Sequence, residues 1–248
     1  MSGQADRTAV VVGASGAIGS AVVGRLLDDG WQIVAVARNV DRLHRTGVEV
    51  CAVDVTTDDA VAVVRGALGD RRVRLLVHAA SAPLGGHVLE AEAAVVRAAV
   101  EVKVVALLRL VQGLRNRFAV PGRIVALGGN LGFDPIAQGS TAGIANAAQA
   151  NLVRMLNRSL APDGITAHTI APGPVDTPRF RALAGHQAQD RGLTIDEIVA
   201  EAAAAAPTGA LTTPEQVAWA VALLTAPQAE ALAGGTLLLD GGRRTALP

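Results

Sequence analysis

The stretch that decides the fold is Thr8-Ala9-Val10-Val11-Val12-Gly13-Ala14-Ser15-Gly16-Ala17-Ile18-Gly19. Its first five residues carry no charge and do not alternate with polar ones, so they read as a strand covered on both faces. A helical stretch follows to Asp29, and Gly30 is its stop. Each glycine has its own task in such a turn. Gly13 permits the tight bend, Gly16 lets the backbone approach a pyrophosphate, and Gly19 allows close packing of helix on strand. The helix N-terminus adds free N–H groups and a partial positive charge. The context, between a strand and a helix, predicts a dinucleotide site. The alternative is a glycine-rich turn without a ligand.

Working outward, apolar runs alternate with helical stretches. Further strands are expected at Gln32 to Ala37, Val48 to Val53, Val73 to His78, Arg123 to Leu127, Ile165 to Ile170 and Thr236 to Leu239. Helices are expected over Asp58 to Leu68, Val88 to about Arg117, Ala142 to Leu160 and Pro214 to Thr225. Uniformly apolar strands mean a parallel sheet with helices on each side. Right-handed crossovers then give one α/β domain over residues 1–248, a Rossmann-type doubly wound fold with about seven parallel strands. The stretch from about Pro178 to Thr213 has no strand and contains the alanine-rich piece Glu201 to Ala206; it reads as a partly helical substrate lid.

Composition narrows the function. Half of the 248 residues are hydrophobic and 18% are charged, enough for a large core. Twenty-two basic and 22 acidic residues cancel, which argues against nucleic acid or a membrane surface as partner. One cysteine, Cys51, excludes an intramolecular disulfide and a cysteine-rich metal site. No apolar run approaches a membrane span of roughly 18 residues, and Asp6 and Arg7 before the first strand do not fit a signal peptide. A cytoplasmic protein is the expectation. The five histidines lack metal-ligand spacing. The chain has one lysine, Lys103, and no tyrosine.

The end of the second strand selects the cofactor. A site for NAD places an acid there for the ribose hydroxyls. Here it reads Ala37-Arg38-Asn39, so a guanidinium can grip the 2′-phosphate of NADP and no acid serves the ribose. NADP(H) is therefore expected over NAD(H); the alternative is a solvated arginine. Asp54, ending the third strand, can accept from the adenine amino group or cap the following helix.

These features resemble the short-chain dehydrogenase/reductase family, and the likeness covers nearly the whole chain. Ile170-Ala171-Pro172-Gly173-Pro174-Val175-Asp176-Thr177-Pro178 is similar to the family's segment after the sixth strand. There, backbone and a threonine, matched by Thr177, hold the nicotinamide carboxamide. Asp240-Gly241-Gly242 is similar to the family's ending after the last strand. The resemblance also implies cofactor contacts at Ser15 and Ile18, at Asn39 and Val55, at Ala80, and at Pro172, Gly173 and Val175. It implies a homodimer or homotetramer, formed partly through the long helices carrying Leu107-Leu108 and Leu152-Val153.

The family's catalytic tetrad is not matched. The active serine's position falls on Gly129, the tyrosine's on Ala142 and the lysine's on Asn146. Val100-Glu101-Val102-Lys103 puts Glu101 at the helix asparagine. His78-Ala79-Ala80-Ser81 replaces the usual Asn-Asn-Ala-Gly. A methyl group donates no proton, and general acid catalysis contributes roughly 10²–10⁴ in rate. Carbonyl reduction by the tyrosine–lysine route is therefore not expected. Two residues could substitute: Glu101, otherwise a helix-face partner of Arg97, and His78, otherwise a satisfied core residue. The small residues at 129 and 142 would enlarge the substrate pocket. Three functions remain: an atypical NADP-dependent oxidoreductase acting on an unidentified small molecule, an inactive nucleotide-binding sensor or partner subunit, and a non-redox enzyme.

Overall fold

Seven strands follow in chain order: β1 Thr8–Val12, β2 Gln32–Ala37, β3 Val48–Ala52, β4 Val73–His78, β5 Phe118–Leu127, β6 Ile165–Pro172 and β7 Thr236–Leu239. They come from a computed structural model that describes residues 7–41, 43, 46–81 and 86–245. All pair in parallel in one sheet of order β3-β2-β1-β4-β5-β6-β7. The helices are α1 Ala17–Asp28, α2 Ala60–Leu68, α3 Ala93–Val100, α4 Ala106–Leu114, α5 Ser140–Leu160, α6 Pro178–Arg191, α7 Ile195–Ala204 and α8 Pro214–Leu223.

The strands do not alternate because both faces are covered. Ala9, Val11, Ile33, Ala35, Leu75 and Val77 pack with Val22 and Leu26 of α1 and Val217 and Val221 of α8. Their neighbours Val10, Val12, Val34, Val36 and Leu76 point the other way, to Val64 and Leu68 of α2, Leu107 and Leu110 of α4 and Val153 of α5. Each valine, leucine or isoleucine among them contributes about 1.5–3 kcal/mol when fully buried. The chain leaves β1 outward through β2 and β3, then returns to β4 on the other side of β1. That reversal opens a crevice beyond the carboxyl ends of β1 and β4, where this class of sheet binds ligands.

Four expectations are revised. β3 is an edge strand with β2 as its neighbour, so Glu49 is exposed there and the strand ends one residue early, at Ala52. β5 begins at Phe118, well before Arg123. The single long helix expected over 88–117 is instead α3, a π-helical turn Glu101–Val105, α4 and a 3-10 turn Arg115–Arg117. Leu107 and Val153, expected in helices that pair between subunits, are wholly buried in the chain's own core, and Leu108 and Leu152 are half-buried.

Residues 178–213 hold two helices, α6 and α7, joined through Ala184, Ala188 and Ile198. Thr194 and Glu197 cap α7 reciprocally, and Arg191 grips Glu201 with two bonds of 2.7 and 3.0 Å. Among the described residues, no helix is long and apolar enough to cross a membrane.

Candidate active site

The glycine turn sits in the crevice. Gly13 has φ +79, a left-handed value that favours glycine. A Cβ there would lie 2.8 Å from the backbone of Ala79 and Ala80, so β1 and β4 also converge too closely for one. A Cβ on Gly19 would overlap the Gly13 carbonyl oxygen, which is the close helix packing expected of that residue. Gly16 differs. It caps α1, no side chain caps that helix end, and a Cβ on it would approach only the Gly13 carbonyl, at 3.4 Å. The outer side of this turn is open backbone with free helical N–H groups, a cradle that fits a pyrophosphate. Ser15 is exposed at its rim, while Ile18 and Ala80 pack onto the two cores beneath.

Arg38 leaves the end of β2 with 81% of its side chain exposed, and its guanidinium stands 4.0 Å from Asp54. Asp54 accepts bonds from the Thr56 amide at 3.0 Å and the Thr56 hydroxyl at 2.7 Å, and these hold its carboxyl below the usual value. Asp54 thus braces the turn after β3; the N-cap of α2 is Asp59. Asn39 accepts from the Asp41 amide, and Val55 is buried. On the far side of the crevice, Gly173 donates to Leu239 and would place a Cβ 3.2 Å from Asp240. Val175 is buried and bridges to Thr212. Thr177 caps α6, its hydroxyl accepting from Phe180 at 3.2 Å, and its own O–H is left to donate. Pro172, buried at the end of β6, starts this segment.

Gly129 and Asn146 meet. Gly129 has φ 179, extended backbone open to any residue. A Cβ on it would stand 2.8 Å from Asn146 Nδ2. Gly132 packs so closely on α5 that a Cβ would reach 2.8 Å from the Ala147 nitrogen. The Asn146 amide therefore occupies space a serine would need, so Gly129 opens no room there; Ala142, one turn earlier, is half-buried.

The two expected substitute acids, Glu101 and His78, are both held in other contacts. Glu101 pairs with Arg109 at 3.4 Å, not with Arg97. Arg109 also binds the Thr56 carbonyl and pairs with Asp58, so Glu101 belongs to a network on the loop after β3. His78 is fully buried and its Nε2 donates to the Val102 carbonyl at 2.9 Å, leaving Nδ1 without a partner. Burial first, and then the Lys103 ammonium, push its pKa down to about 4, against the Val102 bond. A neutral imidazole in the core has no acidic proton to give near neutrality.

The residue of this helix that turns to the sheet is Lys103. Its Nζ donates to the Leu127 carbonyl at the end of β5, at 2.6 Å. Lys103 stands far along the chain from the family's lysine position, Asn146, so sequence matching assigns it no role; the π turn Glu101–Val105 contains it. The available signal was one lysine, among 21 arginines, inside an apolar run. A cavity of about 470 Å³ lined by Arg7, Asp29, Trp31, Arg74 and Arg123 lies at the other end of the sheet and touches none of these groups. Among the described residues, no three His, Cys, Asp or Glu are gathered for a metal.

A family model described as enoyl-(acyl carrier protein) reductase matches residues 13–244. The chain is 32% identical to a cis-4-hydroxycyclohexanecarboxylate dehydrogenase from Sinomonas cyclohexanicum, over 96% of both chains. L-sorbose reductase from Gluconobacter frateurii, solved with NADPH and L-sorbose, is 26% identical with a TM-score of 0.90, covering 99% of each chain. A short-chain dehydrogenase family protein from Francisella tularensis has a TM-score of 0.91 at 22% identity, covering 96% of this chain and 99% of that one, a likeness of fold.

Proposed function

The chain belongs to the short-chain dehydrogenase/reductase family, and we propose that within it the protein is an NADP(H)-dependent oxidoreductase that works without the family's tyrosine and lysine. The observation that carries this reading is the open Gly16 cradle beside an exposed Arg38 where an acid would serve NAD. When bound, the reduced nicotinamide supplies a hydride. The chain's own residues do the rest. Gly13, Ser15, Gly16, Ile18 and Gly19 present the turn to the pyrophosphate, and Arg38 and Asn39 face the 2′-phosphate. Asp54 and Val55 flank the adenine, with Ala80 across the crevice. Pro172, Gly173, Val175 and Thr177 hold the carboxamide, and α6 and α7 close over an unidentified small molecule. The relative solved with NADPH supports the cofactor class. A cytoplasmic homodimer or homotetramer belongs to the same proposal; the one cysteine, Cys51, is reduced and buried in the core.

Calorimetry with NADPH and NADH tests it. Wild type is expected to prefer NADPH, and Arg38→Ala to lose about 1.5–3 kcal/mol of NADPH affinity, the value of a charged hydrogen bond, with NADH unchanged. Equal affinity for both would refute the preference, and binding of neither would refute the cofactor. Binding without turnover of any carbonyl would instead favour a sensor or inactive partner subunit, as the missing tyrosine allows.

A further inference from the structure

We propose that Lys103 is the proton donor of this protein: its ammonium, at the end of β5, protonates the substrate's carbonyl oxygen, the part the family gives to a tyrosine. The inference rests on the oxidoreductase reading above. In the reduction, the carbonyl carbon gains a hydride from the reduced nicotinamide of NADPH, and the C=O π electrons move to oxygen. That oxygen takes a proton from Nζ, so an alcohol and NADP⁺ form and the lysine is left a neutral amine. Water returns the proton to Nζ.

Placement is the first support. Leu127, which accepts from Nζ at 2.6 Å, directly precedes Gly128 and Gly129, the latter at the position of the family's substrate-binding serine. The ammonium has three N–H bonds and this contact uses one. The π-helical turn Glu101–Val105 is the second support. Such a turn inserts a residue into a helix, re-aims the side chains around it, and is frequent at functional sites. Here Glu101 reaches Arg109 while Lys103 reaches β5.

The third support is the set of groups packed about the Lys103 backbone and side chain. From α5, Gln149 donates Nε2 to the Lys103 carbonyl at 3.1 Å, and its buried Oε1 has no partner. That oxygen lies 3.5 Å from where a Gly128 Cβ would be, beside the same strand end. From β4, His78 donates through Nε2, so its unpartnered Nδ1 is an acceptor. Neither acceptor is bonded by the ammonium, and each is a buried polar atom that a water or a substrate group can satisfy. From α6, Arg179 adds like charge. Among the described residues no carboxylate forms an ion pair with Lys103. A buried cation without a counter-ion favours a ligand on which negative charge develops, as it does on a carbonyl oxygen during hydride transfer. Burial, and then Arg179, bring the Lys103 pKa down to about 8, in the range where a general acid is effective near neutral pH.

Because Lys103 is the one lysine, it can be watched directly. In protein labelled with ¹³Cε-lysine, its single resonance is expected to titrate near 8 and to shift when NADP⁺ is added. In NADPH-dependent reduction of a panel of ketones and aldehydes, kcat/KM is expected to fall as pH rises through that midpoint. Lys103→Met should lose on the order of 10²–10⁴-fold in kcat/KM and keep NADPH affinity within twofold. Lys103→Arg, which keeps the charge and titrates far higher, should lose the pH-dependent limb. A resonance titrating near 10.5 overturns the proposal whatever the activity, as does Lys103→Met with wild-type turnover, or a wild type that binds NADPH and reduces no carbonyl. Failure to bind NADPH overturns the oxidoreductase reading itself.

Discussion

Gly129→Ser is expected to destabilise the protein by about 1–3 kcal/mol, the range for an extra group pressed into filled space. The added Cβ would stand 2.8 Å from Asn146 Nδ2, several tenths of an ångström inside ordinary contact. Backbone strain contributes nothing, since φ at Gly129 is 179. The amide has little room to retreat: Asn146 is 7% exposed, and Gly132 confines its Cβ from the other side. For a chain of this size, 1–3 kcal/mol is a fall in Tm of about 2–12 °C. Asn146→Ala removes the obstructing amide, so Gly129→Ser should be nearly neutral in that background. The pair should show a coupling of about 1–3 kcal/mol in a double-mutant cycle by urea unfolding, followed by far-UV circular dichroism. Additive effects, within about 0.5 kcal/mol, would refute the collision. The same contact means that Asn146→Lys, which displaces the amide, should accompany any restored serine. Gly129→Ser, Ala142→Tyr and Asn146→Lys together should raise ketone reduction that survives Lys103→Met, while each alone does little, because such groups act as a unit.

Gly16 and Gly19 should separate binding from folding. Gly16→Val is expected to abolish NADPH binding by calorimetry with Tm unchanged, whereas Gly19→Ala should lower Tm, since its Cβ meets backbone; the reverse outcome would contradict the cradle. Stability should also depend on acid. His78 and His168 are buried, burial being the main cause that holds their pKa values at about 4, and unfolded histidine titrates near 6.5. Between those values the unfolded chain binds protons the folded chain does not, so stability present above pH 6.5 is lost toward pH 4, by on the order of 3 kcal/mol per histidine. A urea midpoint that stays flat from pH 7 to 4.5 would argue against neutral buried imidazoles. Light scattering should find a dimer or tetramer, held by apolar side chains left exposed on α5 and α8, such as Met155 and Trp219; a 25 kDa particle would exclude it.

The sequence alone determined the sheet, because its signal is local. Val10 to Val12 and Ile33 to Val36 have no polar alternation, and only a strand covered on both faces tolerates that. The glycine turn was equally legible, since φ +79 at Gly13 and the crowding at Gly19 are demands on one residue type. So were the absent tyrosine and the arginine at 38, which are matters of identity. What lay outside local reading was direction. Glu101 and Lys103 are two residues apart, and of the two only Glu101 matches a catalytic position of the family, that of its asparagine. Within the π turn, Glu101 reaches Arg109 and Lys103 reaches Leu127. Likewise, Gly129 and Asn146 read as two separate losses; only the approach of the β5 turn to α5, where Gly132 admits no Cβ, makes the Asn146 amide fill the place of the missing side chain. A pattern along the chain specifies which face is apolar, but whether a side chain ends in a pocket depends on a phase and a contact supplied by elements far away in sequence.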